Sequence, residues 1–92
     1  MHHFLIHKQG DHVGVATTDI RSGEKVVGIY MDDDSAVEIV SLHDIPLGHK
    51  IAIRAAAPGD KVLEYGISIG YAPQGLSVGE YVHTHNLKTA RW

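Results

Sequence analysis

Apolar residues in this chain fall in short runs separated by glycines or polar clusters. The runs lie at 4–7, 13–16, 25–30, 36–40, 50–53, 61–63, 67–72 and 81–85. Runs of this length, rich in Val, Ile and Tyr and bounded by turn-forming residues, predict β-strands. No window of a dozen residues keeps a clean 3.6-residue period without a glycine in it, so no helix is expected beyond one turn near 41–44. Asp32-Asp33-Asp34-Ser35 lies between two runs and predicts a hairpin. Its carboxylates lack the glycine and the distal glutamate of a calcium loop, so a solvated tip is expected. The pattern as a whole predicts an all-β fold, a small barrel or a clip-like domain.

A short repeat runs through this pattern. Asp19-Ile20-Arg21-Ser22-Gly23-Glu24-Lys25-Val26 recurs as Asp44-Ile45-Pro46-Leu47-Gly48-His49-Lys50-Ile51. Weaker copies are Ala56-Ala57-Pro58-Gly59-Asp60-Lys61-Val62 and Leu76-Ser77-Val78-Gly79-Glu80-Tyr81-Val82. In each, Val or Ile follows the glycine by three residues. The expected structure is a tight turn with positive φ at the glycine, after which a strand starts at once. The spacing is irregular, so the repeat is a turn signature and not a solenoid.

The chain has 92 residues, the size of a single domain spanning 1–92 with one compact core. Hydrophobic residues make up 43% and charged residues 21%, as in ordinary globular proteins and unlike disordered ones. The net charge of −3 argues against a nucleic-acid-binding face. No apolar stretch approaches the ~20 residues of a membrane-spanning helix. The N-terminus has no long apolar region and no small-residue cleavage site, so no signal peptide is expected. Cysteine is absent, which fits a reducing compartment, and the cytoplasm is the expected location.

The eight histidines carry the candidate chemistry. His83-Thr84-His85-Asn86 is the sharpest feature. On a strand, residues two apart share a face, and two imidazoles on one face are half of many transition-metal sites. His43, His49 or a carboxylate from another chain could complete such a site. The alternative is a solvated pair near the terminus. Gly48-His49-Lys50 is the second feature. Glycine lets the backbone approach a ligand, a histidine titrates near neutral pH, and a lysine can pair with an acidic substrate group. The alternative is a turn with two exposed polar residues. His7 and His12 have no positional reason to be assigned to a site. Tyr30, Tyr65, Tyr71 and Tyr81 read as core or rim. Trp92 predicts packing either on this domain or on another chain. Phosphate-binding loops and nucleophile elbows are missing. A chain this small seldom forms a whole site for a polar substrate, so a histidine site at an interface is expected.

Three stretches carry a family resemblance: Ile45-Pro46-Leu47-Gly48-His49-Lys50-Ile51-Ala52, Glu64-Tyr65-Gly66-Ile67-Ser68-Ile69-Gly70-Tyr71-Ala72, and Gly79-Glu80-Tyr81-Val82-His83-Thr84-His85-Asn86-Leu87. In this order and spacing the chain resembles the SAF domain of the altronate/galactarate dehydratase family, over essentially its whole length. The resemblance implies a SAF-type β-clip fold. In the sugar-acid dehydratases this domain is usually fused to a much larger catalytic domain. Here the chain stops just after the His-Thr-His-Asn motif, which is closer to the members split into two subunits. The implied activity is β-elimination on a 2-hydroxy acid, with water or sulfite leaving. The implied role is the small subunit of a metal-dependent lyase, inactive without its large catalytic subunit. Alternatives are a part of a sugar-acid dehydratase, a non-catalytic interaction module and a stand-alone metal-binding domain. The implied cofactor is a divalent metal, iron(II), held mainly by the large subunit. The implied site places His83, His85 and His49 as catalytic groups, with Lys50 and Asn86 as substrate contacts. His83 and His85 could also be metal ligands shared with the partner. Association of several copies of the chain is a further expectation.

Overall fold

The computed structural model describes residues 2–89. It consists of strands β1 (Phe4–Ile6), β2 (Val13–Ala16), β3 (Lys25–Tyr30), β4 (Ala36–Val40), β5 (Lys50–Ala52), β6 (Lys61–Glu64), β7 (Ile67–Tyr71) and β8 (Tyr81–Val82). Each of the eight apolar runs forms a strand. The last is shorter than expected, because the chain leaves the ladder after Val82. The segment 41–44 is not helical. Ser41 is buried there, and its hydroxyl donates to the His43 carbonyl at 2.6 Å, which bends the backbone away from a helical course. Among the described residues, no helix is long and apolar enough to cross a membrane.

Six strands form one sheet in the order β4-β3-β1-β2-β5-β8, and β6 and β7 form a separate hairpin. All pairings are antiparallel except that of β1 with β3. Side chains alternate across the strands, and both faces are used. One face gathers Phe4, Ile6, Ala16, Ile20, Val26, Ile45 and Ile51. The other gathers Val13, Ala52, Val62, Ala72, Leu76 and Val82. Strands β2 and β5 contribute to both groups and therefore form the wall between two small cores. The β3–β4 hairpin carries the Asp32–Asp34 tip, whose residues are all exposed, as expected of a solvated tip. Trp92 lies outside the described residues.

The four glycine turns are present. Gly23, Gly48, Gly59 and Gly79 have φ of 84°, 86°, 86° and 93°, values that L-residues with a Cβ rarely adopt. Each turn is closed by an N–H of the residue after the glycine. Glu24, His49, Asp60 and Glu80 donate to the carbonyls of Arg21, Pro46, Ala57 and Ser77 at 3.0–3.1 Å. Each glycine N–H reaches a distant carbonyl, those of Ser41, Ala16, Ala72 and Ala52. The turns associate in pairs through antiparallel bridges, Ile20 with Ile45 and Ala56 with Leu76. In the first pair, Asp19 accepts the Leu47 N–H at 2.9 Å and Asp44 accepts the Ser22 N–H at 2.8 Å. Each turn is thus tied down by the acid that precedes its neighbour.

Phe4 is the single phenylalanine and is fully buried. Its ring lies over Gly28 of β3 and Gly14 of β2, where an added Cβ would collide with it. Glycine in a strand usually weakens it; here it makes room for the largest side chain of the core. Replacing Gly28 with Ala is expected to cost about 1–3 kcal/mol through overpacking. Urea denaturation of Gly28→Ala against the parent chain measures this, and an unchanged midpoint would contradict the packing described.

Candidate functional site

The candidate site lies at the edge of the sheet, where β5 meets β8. The register pairs Lys50 with Val82 and Ile51 with Tyr81. Continued by one residue, it sets His49 opposite His83. Their ring centroids are 5.4 Å apart. Tyr81 forms the third corner of a triangle with these two imidazoles. Its hydroxyl is 2.6 Å from His49 Nδ1. Its ring stacks on His83 at 5.5 Å and meets His85 edge-on at 5.9 Å. Its backbone N–H donates to His43 Nδ1 at 3.0 Å. Four of the eight histidines therefore surround one tyrosine. His49 is half-buried, whereas His83 and His85 are exposed.

His83 and His85 do not share a strand face, because the strand ends at Val82. Residues 83–86 form a turn in which Leu87 N–H donates to the His83 carbonyl at 2.9 Å. Asn86 holds this turn together. Its Oδ1 accepts the His83 N–H at 2.8 Å, and its Nδ2 donates to the Tyr81 carbonyl at 2.7 Å and to Glu80 Oε2 at 2.9 Å. Both amide protons are used, and the side chain is buried. Asn86 thus positions His83 and presents no free donor to a substrate.

Lys50 points the other way. Neighbouring residues of a strand project to opposite faces. His49 faces Tyr81, while Lys50 Nζ lies 3.9 Å from Glu64 Oε1. Glu64 is buried, and its second oxygen is 3.7 Å from His7 Nε2. Tyr65 stacks on His7 at 3.7 Å between ring centroids. The Tyr65 backbone has φ of 58° and is fastened by buried Asp11, which accepts the N–H groups of Tyr65 and Gly66 at 2.9 Å each. The Gly48-His49-Lys50 motif is therefore split, with the imidazole on one face and the ammonium on the other.

Other polar groups have structural tasks. His3 Nδ1 accepts the Val27 N–H at 3.0 Å, and His12 Nδ1 accepts the Leu63 N–H at 2.9 Å. Burial, and then the charge of Arg54, lowers the His12 pKa, which favours the neutral form in which Nδ1 accepts. A shallow groove is lined by Asp19, Ile20, Arg21, Asp44, Ile45 and Pro46. Its two carboxylates already hold the paired turns, so the groove reads as a seam of the fold.

Among the described residues, no three His, Cys, Asp or Glu side chains converge to hold a metal ion. The His49–His83 pair is at most part of a donor set, and one His49 nitrogen is already committed to Tyr81. The described residues alone do not fit a divalent metal.

Sequence reasoning missed Tyr81, His7 and Glu64. Tyr81 had one available signal, since it stands two residues after the glycine of the fourth turn, where the other copies carry lysine. The approach of β6 to the N-terminal segment left no sequence signal.

Similarities to known proteins bear on this site. The altronate/galactarate dehydratase SAF domain model matches residues 2–90. The chain is 39% identical over 90 residues to the (2R)-sulfolactate sulfo-lyase subunit alpha of Chromohalobacter salexigens, covering 97% of this chain and 96% of the relative. It is 42% identical over 64 residues to the subunit of the same name from Paracoccus pantotrophus, covering 70% of this chain and 96% of the relative. The altronate dehydratase of Bacillus subtilis is 42% identical over 84 residues, which span 91% of this chain but 16% of that protein.

Removing the Asn86 side chain should release the turn. Asn86→Ala is expected to lower stability by about 1–3 kcal/mol, because it removes three hydrogen bonds made by a buried side chain. The His83 amide should also exchange with solvent faster. Denaturation together with amide exchange tests this, and an unperturbed His83 amide would contradict the positioning role.

Proposed function

This chain belongs to the altronate/galactarate dehydratase SAF-domain family, and on that premise we propose that it is the small subunit of a two-chain lyase acting on a 2-hydroxy acid. The favoured substrate is (2R)-sulfolactate, with sulfite released and pyruvate formed. The observation that carries this reading is the end-to-end match with a sulfolactate sulfo-lyase alpha subunit, 39% identical over 96% of its length. The second reading, part of an altronate-type sugar-acid dehydratase, rests on the 42% identity to the Bacillus subtilis enzyme, of which the chain spans about a sixth.

The reaction is an elimination without net oxidation. A base takes the proton from the carbon that bears the hydroxyl and adjoins the carboxylate. That electron pair forms the carbon–carbon double bond, and the neighbouring carbon–sulfur or carbon–oxygen bond breaks. Sulfite leaves with its electron pair, or water leaves after protonation. The resulting enol rearranges to the 2-oxo acid. Such chemistry needs a base, a stabiliser for the charge that builds on the carboxylate and hydroxyl oxygens, and help for the leaving group.

This chain supplies imidazoles at a prepared edge. His49 is held by Tyr81 at one nitrogen and leaves the other free. His83 faces it across the strand pair, and the Asn86 turn fixes its backbone. His85 flanks Tyr81 on the exposed side. The partner chain closes over this edge and contributes the remaining groups. It also meets the substrate's acidic groups, since Lys50 is turned to the opposite face. A divalent metal, iron(II), belongs with the large subunit in this reading. The assembly works in the cytoplasm.

The test is co-expression with the large subunit, purification through this chain, and assay of sulfolactate and altronate separately with ferrous iron. Sulfite release that needs both chains is the expected result. His49→Ala and His83→Ala should each lower kcat by about 10²–10⁴-fold, as for loss of a group that moves a proton or stabilises developing charge at the reacting atoms, with unchanged melting temperatures. Altronate dehydration would favour the second reading. Full turnover by the large subunit alone would overturn a catalytic role for this chain.

A further inference from the structure

The four glycine turns obey one pattern, and it is broken at two places. In three copies the residue after the glycine is an acid: Glu24, Asp60 and Glu80. Each carboxylate accepts the backbone N–H three residues earlier, from Arg21, Ala57 and Ser77, at 2.9–3.0 Å. The second copy has His49 instead, and the residue three back is Pro46, which has no N–H to offer. The turn itself does not need the exception. Gly48 keeps φ of 86°, and His49 N–H still reaches the Pro46 carbonyl at 3.0 Å.

The next position is Lys25, Lys50 and Lys61 in three copies and Tyr81 in the fourth. The two exceptions stand in different copies, 32 residues apart in the chain, and they meet: the Tyr81 hydroxyl is 2.6 Å from His49 Nδ1. Turn formation explains neither residue, yet each is the other's hydrogen-bond partner.

The direction of this bond has a chemical consequence. A phenol is a good donor and a poor acceptor, because its oxygen lone pair is drawn into the ring. The unprotonated nitrogen of a neutral imidazole is a good acceptor. Tyr81 is half-buried, and its backbone is fastened by His43 and by pairing with Ile51, so the hydroxyl has little freedom to turn elsewhere. The titratable neighbours of Tyr81 are His43, His49, His83 and His85. The adjacent Glu80 carboxylate is occupied by the Ser77 N–H and the Asn86 amide.

We propose, resting on the lyase reading of this site, that Tyr81 is a positioning residue. Its O–H donates to His49 Nδ1 and holds the neutral imidazole with its hydrogen on Nε2. His49 then presents an N–H to the substrate oxygen on which charge develops. A neutral imidazole serving as a hydrogen-bond donor in this way is an established means of stabilising an enolate-like intermediate. No proton leaves His49. In this state it is neither the base that takes the carbon-bound proton nor a metal ligand through Nε2. Those tasks fall to other groups.

Two measurements test the proposal. The first is a long-range proton–nitrogen correlation spectrum of the ¹⁵N-labelled 92-residue chain, recorded above the range where imidazoles titrate. It should show His49 with its hydrogen on Nε2 and with Nδ1 shifted as a hydrogen-bond acceptor. In Tyr81→Phe the Nδ1 shift should be lost. A hydrogen on Nδ1 in the parent chain, or an Nδ1 signal indifferent to Tyr81→Phe, overturns the proposal. The parent spectrum alone decides the tautomer, whatever the stability of the variant. The second is kinetics on the co-purified complex. Tyr81→Phe should lower kcat by about 10–100-fold, as for loss of a group that orients a functional imidazole, with KM within twofold of the parent. An unchanged kcat overturns the positioning role. An inactive parent complex overturns the lyase reading instead, and the spectrum still decides the hydrogen bond.

Discussion

A glycine in the left-handed region, used four times, sets where four strands of this domain begin. Each such turn reverses the chain in four residues, bonds its glycine N–H to a distant carbonyl, and delivers a buried Val or Ile into a core. The side chain that follows the glycine lies at the mouth of the turn. In three turns it is an acid bound to the turn's own backbone. At Pro46–His49 this internal bond has no donor. The histidine is therefore free to face a neighbouring strand, and the candidate site grows from that single release.

Two small cores result, one on each face of the β2–β5 wall. Neither is large, and the fold depends on close backbone approach, as where Phe4 covers Gly14 and Gly28. The same wall decides which side chains can act together. His49 and Tyr81 lie on the face of the Phe4 core. Lys50 lies on the other, beside Glu64 and His7. The chain thus offers two chemically distinct faces.

Much of this was legible in the sequence, and what was not has identifiable causes. The strands and turns announced themselves through short apolar runs and through glycine followed at fixed distance by Val or Ile. These are local signals. The strand expected over 81–85 ended at Val82 because Asn86 reaches back to three groups, a side-chain preference that hydrophobic pattern does not reveal. His49 was one of several partners the sequence left open for His83, and their meeting depends on the β5–β8 register, which spans more than thirty residues. Lys50 seemed to belong with His49 because they are adjacent in sequence, yet adjacency on a strand means opposite faces. Tyr81 looked like a rim residue until its hydroxyl found His49.

Two relatives of this chain are named as alpha subunits of a lyase, and the described residues show an edge with exposed imidazoles and no cluster able to hold a metal by itself. In the proposed two-chain lyase the partner closes over this edge. Hydrogen exchange of the chain, free and in complex with the large subunit, reads that contact. Amides in 42–50 and 79–87 should be protected in the complex. Protection confined to the Asp32–Asp34 hairpin or to the Tyr65 face, with exchange at the His49 edge unchanged, would contradict it.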